Sequence, residues 1–235
     1  MLKGAFPKKA NSFISFADFF LPRFCPSCRV KLSRDEKSVC GSCLSKIQRA
    51  DSARLKNEYE RKFLSQNIIA DFISLFVFEK DKELQHVIHE LKYSGKFSLG
   101  KYLGRLIARE LGERITEWKI DLIVPVPLHH LKRAERGYNQ SDFIAKGIGS
   151  SLKIPVKTNL LKRNRFTETQ TALSLDERKE NVKDAFSLKK KRIPNKNILL
   201  IDDVITTGAT TAECGRILLQ NGASKVYIAS VAIAD

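Results

Sequence analysis

From Phe72 onward the chain alternates between two hydrophobic periods. "FISLFVF" (Phe72 to Phe78) is an apolar run of strand length, and Leu84, Val87, Ile88 and Leu91 then recur at helical spacing. Leu99, Leu103, Leu106 and Ile107 repeat that spacing, and "DLIVPVP" (Asp121 to Pro127) reads as a second buried strand ended by prolines. A helix from about Ser141 to Gly149 is predicted next, then a short strand near Val156 and a charged stretch to Asn195. The strand "NILLID", a helix over Thr210 to Leu219 and the strand "KVYIASVAIA" close the chain. Strands separated by helical segments predict an α/β fold, a parallel sheet with helices on both faces.

Upstream the pattern weakens. "NSFISFADFFLPRF" is interrupted by Asp18 and Pro22 and predicts a short amphipathic helix packed on the domain. Residues 50–66 are polar, lack a strong apolar period, and read as a linker or a solvated helix. The predicted organisation is an N-terminal helix and four-cysteine module over 1–50, a linker over 51–70, and the α/β domain over 71–235.

Composition changes this picture in two ways. A chain of 235 residues that is 43% apolar supports one sizeable core with a small appendage. A net charge of +16, from 42 Lys and Arg against 26 Asp and Glu, makes nucleotides, pyrophosphate or nucleic acid suitable partners. Beyond Asn197 the only basic residues are Arg216 and Lys225, so the last strands stand apart from that charge. No apolar stretch reaches the roughly 20 residues of a membrane helix, so no membrane span is expected. The N-terminal run lacks a long apolar core and a small-residue cleavage site, which argues against a signal peptide. A reducing cytoplasm is the expected compartment.

Four of the five cysteines form two knuckles, "CPSC" (Cys25, Cys28) and "CGSC" (Cys40, Cys43), separated by eleven residues. In each, a two-residue loop lets both sulfurs face one point, so the pair of knuckles can close a tetrahedral thiolate site for structural Zn2+. Two disulfides or four unliganded thiols are the alternatives. A site filled by four protein sulfurs leaves no position for a substrate, and would staple a module too small to fold alone.

"ILLIDDVITTGAT" (Ile198 to Thr210) carries the chemistry. Asp202 and Asp203 leave a predicted strand over Ile198 to Ile201, and Thr206, Thr207, Gly208, Ala209 and Thr210 form a turn at a helix N-terminus. In open α/β sheets ligands sit beyond the carboxyl ends of strands, and amides in such a turn suit a phosphate. Carboxylates beside a phosphate pocket repel the anion unless they accept hydrogen bonds from sugar hydroxyls or face Mg2+. A ribose 5-phosphate derivative meets both demands; an acid pair that merely caps a turn is the alternative. Neither GxGxxG nor GxxxxGK[ST] occurs, which disfavours dinucleotide and Walker A sites.

Other candidates read more simply. His86 and His89 form an HxxH with no third ligand in register and are expected at the surface. His129 and His130 are expected in a turn, Cys214 as a small buried side chain, and Trp118 in the core.

At "ILLIDDVITTGAT" the sequence resembles the type I phosphoribosyltransferases. The resemblance implies a 5-phosphoribosyl 1-pyrophosphate (PRPP) site, with Asp202 and Asp203 on the ribose hydroxyls and Thr206 to Thr210 on the 5-phosphate. "VPVPLHHLKRAERGYNQSDFIA" (Val124 to Ala145) and "LLKRNRFTETQTALSLDERKENVKDAF" (Leu160 to Phe186), behind the paired knuckles, look like the ComF (competence protein F, GntX-like) family over nearly the whole chain. Arginine clamps phosphate oxygens in a bidentate fork, as a pyrophosphate leaving group requires. The resemblance puts the pyrophosphate loop at Arg133 and Arg136, and a loop that folds over the site at Arg163, Arg165, Thr167 and Gln170. It implies natural transformation, in which imported single-stranded DNA passes through the cytoplasm with a helicase partner. Two functions remain open: a DNA-handling protein that binds PRPP with Mg2+, and a nucleobase-salvage phosphoribosyltransferase that releases pyrophosphate. No segment stands out as a base pocket, and the sequence lacks the interleaved aromatic and basic residues of a stacking platform for single strands.

Overall fold

The computed structural model describes residues 22–165, 182–189 and 192–234. Most of the expected N-terminal helix, together with Thr167 and Gln170, lies outside the described residues. The elements in chain order are helix α1 (Gly41–Lys46), helix α2 (Ser52–Lys62), strand β1 (Asp71–Val77), helix α3 (Glu83–Tyr93) and helix α4 (Phe97–Glu117). Strand β2 (Leu122–Pro125), helix α5 (His130–Arg136), helix α6 (Gln140–Leu152), and strands β3 (Leu161–Arg163) and β4 (Phe186–Leu188) follow. Strand β5 (Asn197–Ile205), helix α7 (Ala209–Gln220) and strand β6 (Lys225–Ile233) end the described chain.

Strands β1, β6, β5 and β2 form a sheet in that order, and every pairing is parallel. Its strands alternate inward positions between two hydrophobic cores. Ile73, Ile123, Leu199, Ile201 and Ala229 face helices α3, α4 and α6, and the cysteine module joins the same core. Phe72, Val124, Ile198, Leu200 and Ile228 face the other core, with Phe63, Cys214 and Leu218. Helices therefore cover both faces, as the alternating pattern predicts. Val156 meets Ile123 in a single parallel bridge, which is all that forms of the short strand expected there. The charged stretch after it contains the antiparallel pair β3–β4, whose three-residue strands are too short to leave a periodic signal.

Two boundaries differ in ways that shape the site. β5 does not stop at Ile201 but runs through the acid pair, because β6 continues beside it: Asp202 pairs with Ser230 and Ile205 with Ile233. The segment read as a linker or solvated helix folds as α2 and a 3₁₀ turn over Leu64–Gln66. Asp51 caps α2 by accepting from the Arg54 amide at 2.7 Å. Polar composition hides a packed face in that segment: Phe63, just past α2, is fully buried with its ring 5.5 Å from that of Phe72. Burying a phenylalanine of this kind contributes roughly 2–3 kcal/mol.

Helices α4 and α6 approach so closely that glycine is required on both. A Cβ on Gly104 would lie 2.1 Å from the Ile144 carbonyl oxygen, and one on Gly147 would lie 2.5 Å from that of Lys101. This contact sets the N-terminus of α6 against the end of β5.

Candidate functional site

The cleft opens at the carboxyl ends of β2 and β5. Most of its polar groups come from four elements: the end of α3 (Lys92, Tyr93), helix α5 (Lys132, Arg136), the start of α6 (Asn139 to Ser141) and the second half of β5 (Asp202, Asp203). Its volume is about 430 Å³, and Arg163 and Thr210 also line it. Behind it lies a second, small pocket of about 40 Å³, lined by Asp202 and the turn from Val204 to Thr211. Asp202 and Thr210 belong to both spaces.

The turn holds its shape through Gly208, whose φ of +76° lies in the left-handed region. A Cβ there would also lie 2.6 Å from the Phe63 ring, so the position excludes side chains on two counts. The Thr207 hydroxyl accepts from the Ala209 amide at 3.3 Å, and the Thr211 hydroxyl donates to the Gly208 carbonyl at 2.9 Å. The first turn of α7 thus presents its amides and the positive end of its dipole toward the small pocket.

The two acids occupy different surroundings. Asp203 is buried; its Oδ2 lies 3.1 Å from Lys92 Nζ and accepts from Gln140 Nε2 at 3.2 Å, while its Oδ1 accepts from the Val204 amide at 2.8 Å. Burial opposes its charge, but the Lys92 ammonium, the Val204 amide and the hydrogen bond shared with Asp202 prevail and hold the carboxyl below its ordinary range. Asp202 Oδ1 accepts from the Asp203 amide at 2.9 Å and from Ser141 Oγ at 3.4 Å. Burial, and then the neighbouring Asp203 charge, push its carboxyl up to about 8. One acid is therefore ionised and the other holds a proton at neutral pH.

The segment "GYNQS" organises this pair. Tyr138 donates to the Leu91 carbonyl and ties the segment to α3. Asn139 caps α6, its Nδ2 donating to the Val126 carbonyl and to Asp142 Oδ1, each at 2.9 Å. Gln140 and Ser141 then reach one acid each. Lys92, Gln140 and Ser141 carry no signal in the hydrophobic pattern; only the basic character of the last turn of α3 marks Lys92.

Of the basic residues singled out from the sequence, Arg136 and Arg163 line the cleft. Arg136 Nη1 donates to Gln140 Oε1 at 3.4 Å, whereas its buried Nε has no hydrogen-bond partner among the described residues. Arg163 is half-buried, with its guanidinium 5.3 Å from the centre of the Phe186 ring. Arg133 is exposed on α5 away from the cleft, and its neighbour Lys132 takes the lining position. Arg165 is exposed and donates to the Lys183 carbonyl at 3.2 Å. His129 is the buried N-cap of α5 rather than a simple turn residue, while His86 and His89 are exposed.

Four cysteines form the other candidate centre. The sulfurs of Cys25, Cys28, Cys40 and Cys43 all lie within 4.8 Å of one another, and no disulfide joins them. Cys28 and Cys40 sulfurs are 3.6 Å apart, close to the roughly 3.8 Å edge of a tetrahedron with zinc–sulfur bonds of about 2.3 Å. Cys40 caps α1 and its sulfur accepts from the Cys43 amide at 3.4 Å. Burial pushes the Cys43 thiol up to about 12, so four thiolates need a cation among them. The donor set fits structural zinc and leaves no open position.

Comparison with known proteins sets this geometry in context. No protein-family model matches the chain. It is 36% identical to "Competence protein F" of Haemophilus influenzae over 150 residues, 62% of this chain and 66% of that protein. It is also 36% identical to "DNA utilization protein YhgH" of Escherichia coli over 148 residues, 62% of this chain and 65% of that one. The chain thus spans just under two thirds of these two relatives. "Competence protein ComFC" of Bacillus subtilis is 25% identical over 214 residues, covering 85% of this chain and 79% of its own. Among solved structures, a glutamine PRPP amidotransferase from B. subtilis aligns with a TM-score of 0.41 and 22% identity, over 60% of this chain and 30% of that one. A purine phosphoribosyltransferase from Pyrococcus horikoshii aligns with a TM-score of 0.37 and 19% identity, over 56% and 74%. Both structural likenesses are partial.

A parallel α/β sheet with an acid pair and a threonine-rich turn toward one strand end, preceded by a four-cysteine cluster, is the arrangement that a phosphoribosyltransferase-like fold with a zinc-ribbon-like N-terminal part calls for. In sequence the chain is similar to these competence and DNA-utilization proteins, the resemblance to the ComF family that its motifs carry.

Proposed function

We propose that the protein is a ComF-like factor that handles or imports single-stranded DNA in the cytoplasm during natural transformation, and that its cleft binds PRPP. The observation that carries the PRPP reading is that Asp202 and Thr210 line both the small turn pocket and the larger cleft. A sugar phosphate spanning the two spaces would place its 5-phosphate on the amides at the start of α7. Its ribose hydroxyls would then donate to Asp202 and Asp203. Lys132, Arg136 and Arg163 would receive the pyrophosphate, with Arg136 and Arg163 acting as forks and Lys132 as a point charge.

Lys92 and Gln140 hold Asp203 in place, so Asp202 is the acid whose protonation answers to the ligand. The donors facing this part of the cleft are oxygens, which suits a hard cation such as Mg2+ at Asp202 and Asp203. When bound with PRPP, Mg2+ would neutralise pyrophosphate charge. The relatives' printed names, competence and DNA utilization, support the DNA part of the reading. A helicase partner belongs to the same proposal.

The test is calorimetric titration of PRPP with magnesium into the wild type and an Asp202→Ala, Asp203→Ala double variant. Heat of binding in the wild type and its loss in the variant are expected; a wild type that takes up no PRPP would remove the pocket assignment. Pyrophosphate release in the presence of nucleobases would add transferase turnover to binding.

A further inference from the structure

We infer that the exposed face of α4, together with α6, forms a track for single-stranded nucleic acid that starts beside the cleft at Phe97. The inference rests on the DNA-handling reading above and adds the surface that would carry it. Sequence order hides this surface, because its aromatic and basic residues come from separate segments.

Phe97, Lys101, Arg105 and Arg109 follow one another at four-residue intervals on α4, and all four are exposed. Residues at this spacing share a helix face, and twelve residues of helix extend about 18 Å. Phe97 is 46% exposed and rests on Phe143 of α6, the rings stacked with centroids 4.7 Å apart. Lys146 Nζ lies 4.7 Å from the centre of the Phe143 ring. The glycine contact between the helices brings the Lys101 backbone against Gly147, so Lys146 stands beside the α4 row.

From Phe97 to Lys101, with Lys146 beside them, charge on this face has one sign. No acid occurs between Glu90 and Glu110, and the only acid of α6, Asp142, is buried. Among the described residues no carboxylate pairs with Lys101, Arg105 or Lys146. The track ends at Arg109, which meets Glu110 at 2.9 Å, and where Asp35 and Glu36 line a groove with Arg105 and Arg109.

An exposed ring that can stack on a base of any identity, followed by unpaired cations, is the pattern of sequence-independent single-strand binding. An acidic protein would use the cations and leave the exposed face of Phe97 without a planar partner, so the ring favours nucleic acid. Phe97 begins α4 four residues after Tyr93 ends α3 at the rim of the cleft, so the strand would pass close to the PRPP site.

The test is fluorescence anisotropy of a labelled oligothymidylate at several salt concentrations. The proteins compared are the wild type, Phe97→Leu, and a Lys101→Gln, Arg105→Gln double variant. Leucine keeps the packing on Phe143 and removes the aromatic face; a loss of roughly ten-fold in affinity is expected. The double variant alters only exposed side chains and should reduce the slope of log K against log salt by about 1.4, two released counterions at roughly 0.7 each. PRPP calorimetry on both variants should match the wild type. Unchanged affinity and slope in the variants, with a wild type that binds, would overturn the track and leave the DNA reading standing. A wild type that does not bind oligothymidylate would overturn both. Competition by polyglutamate as effective as that by unlabelled oligothymidylate would reassign the surface to acidic peptides and overturn the track.

Discussion

Lys92 Nζ, on the last turn of α3, lies 3.1 Å from Asp203 Oδ2 at the end of β5, joining two elements far apart in sequence across the mouth of the cleft. Asp203 is buried beside a second carboxyl, and Lys92 is the cation that keeps it ionised.

Replacing Lys92 by methionine should therefore destabilise the fold, because it leaves a buried carboxylate without its counter-charge. Lys92 is partly exposed, which moderates the effect to about 2 kcal/mol. Urea denaturation of Lys92→Met against the wild type measures it.

Asp202 makes stability depend on pH. Its carboxyl is raised from an ordinary 3.8 to about 8 in the folded protein, so the folded state keeps a proton that the unfolded chain releases. That contribution is fully present below the unfolded value and is lost as pH rises through the folded one. Asp203 is shifted the opposite way and acts only at more acid pH, below its ordinary 3.8. The wild type should be less stable toward urea at about pH 8 than at about pH 6, and Asp202→Asn should shrink that difference.

Gly208→Ala should cost about 2 kcal/mol and weaken PRPP binding, since the new methyl group meets the Phe63 ring in a left-handed backbone conformation. Thermal melting and calorimetry measure the two effects. Phe63→Leu in the Gly208→Ala background should recover part of the stability by making room, while the backbone strain persists.

One zinc per chain is expected, with its loss on Cys43→Ser read by elemental analysis. Chelation should lower the melting temperature, because buried thiols then lose the cation that holds the module and its contacts with Leu84, Val87 and Ile88 of α3. A chain that keeps its melting temperature and contains no metal would contradict the zinc module.

These sites were legible in the sequence to different depths. The acid pair and the turn could be read because their residue types are tied to local geometry: a strand end, a positive-φ glycine and a helix N-terminus within thirteen residues. The cysteine knuckles could be read for the same reason. Lys92, Gln140 and Ser141 could not, because their role exists only after α3 and α6 dock beside β5, and no local period records that docking. Polar composition likewise concealed the supporting part of α2: Phe63 is a single aromatic among charges, and what makes it matter is Gly208, far away in the chain.

The contact of Gly104 with α6 leaves almost no side-chain cushion between the two helices. Backbone against backbone transmits displacement as a rigid coupling does. If Gln140 and Ser141 shift when a ligand draws on Asp202 and Asp203, α4 must shift with them, and the long helix becomes a lever whose middle, from Tyr102 to Arg109, lies beside the cysteine module. Occupancy of a cleft at the strand ends would then be readable, as a mechanical movement, at the cysteine module.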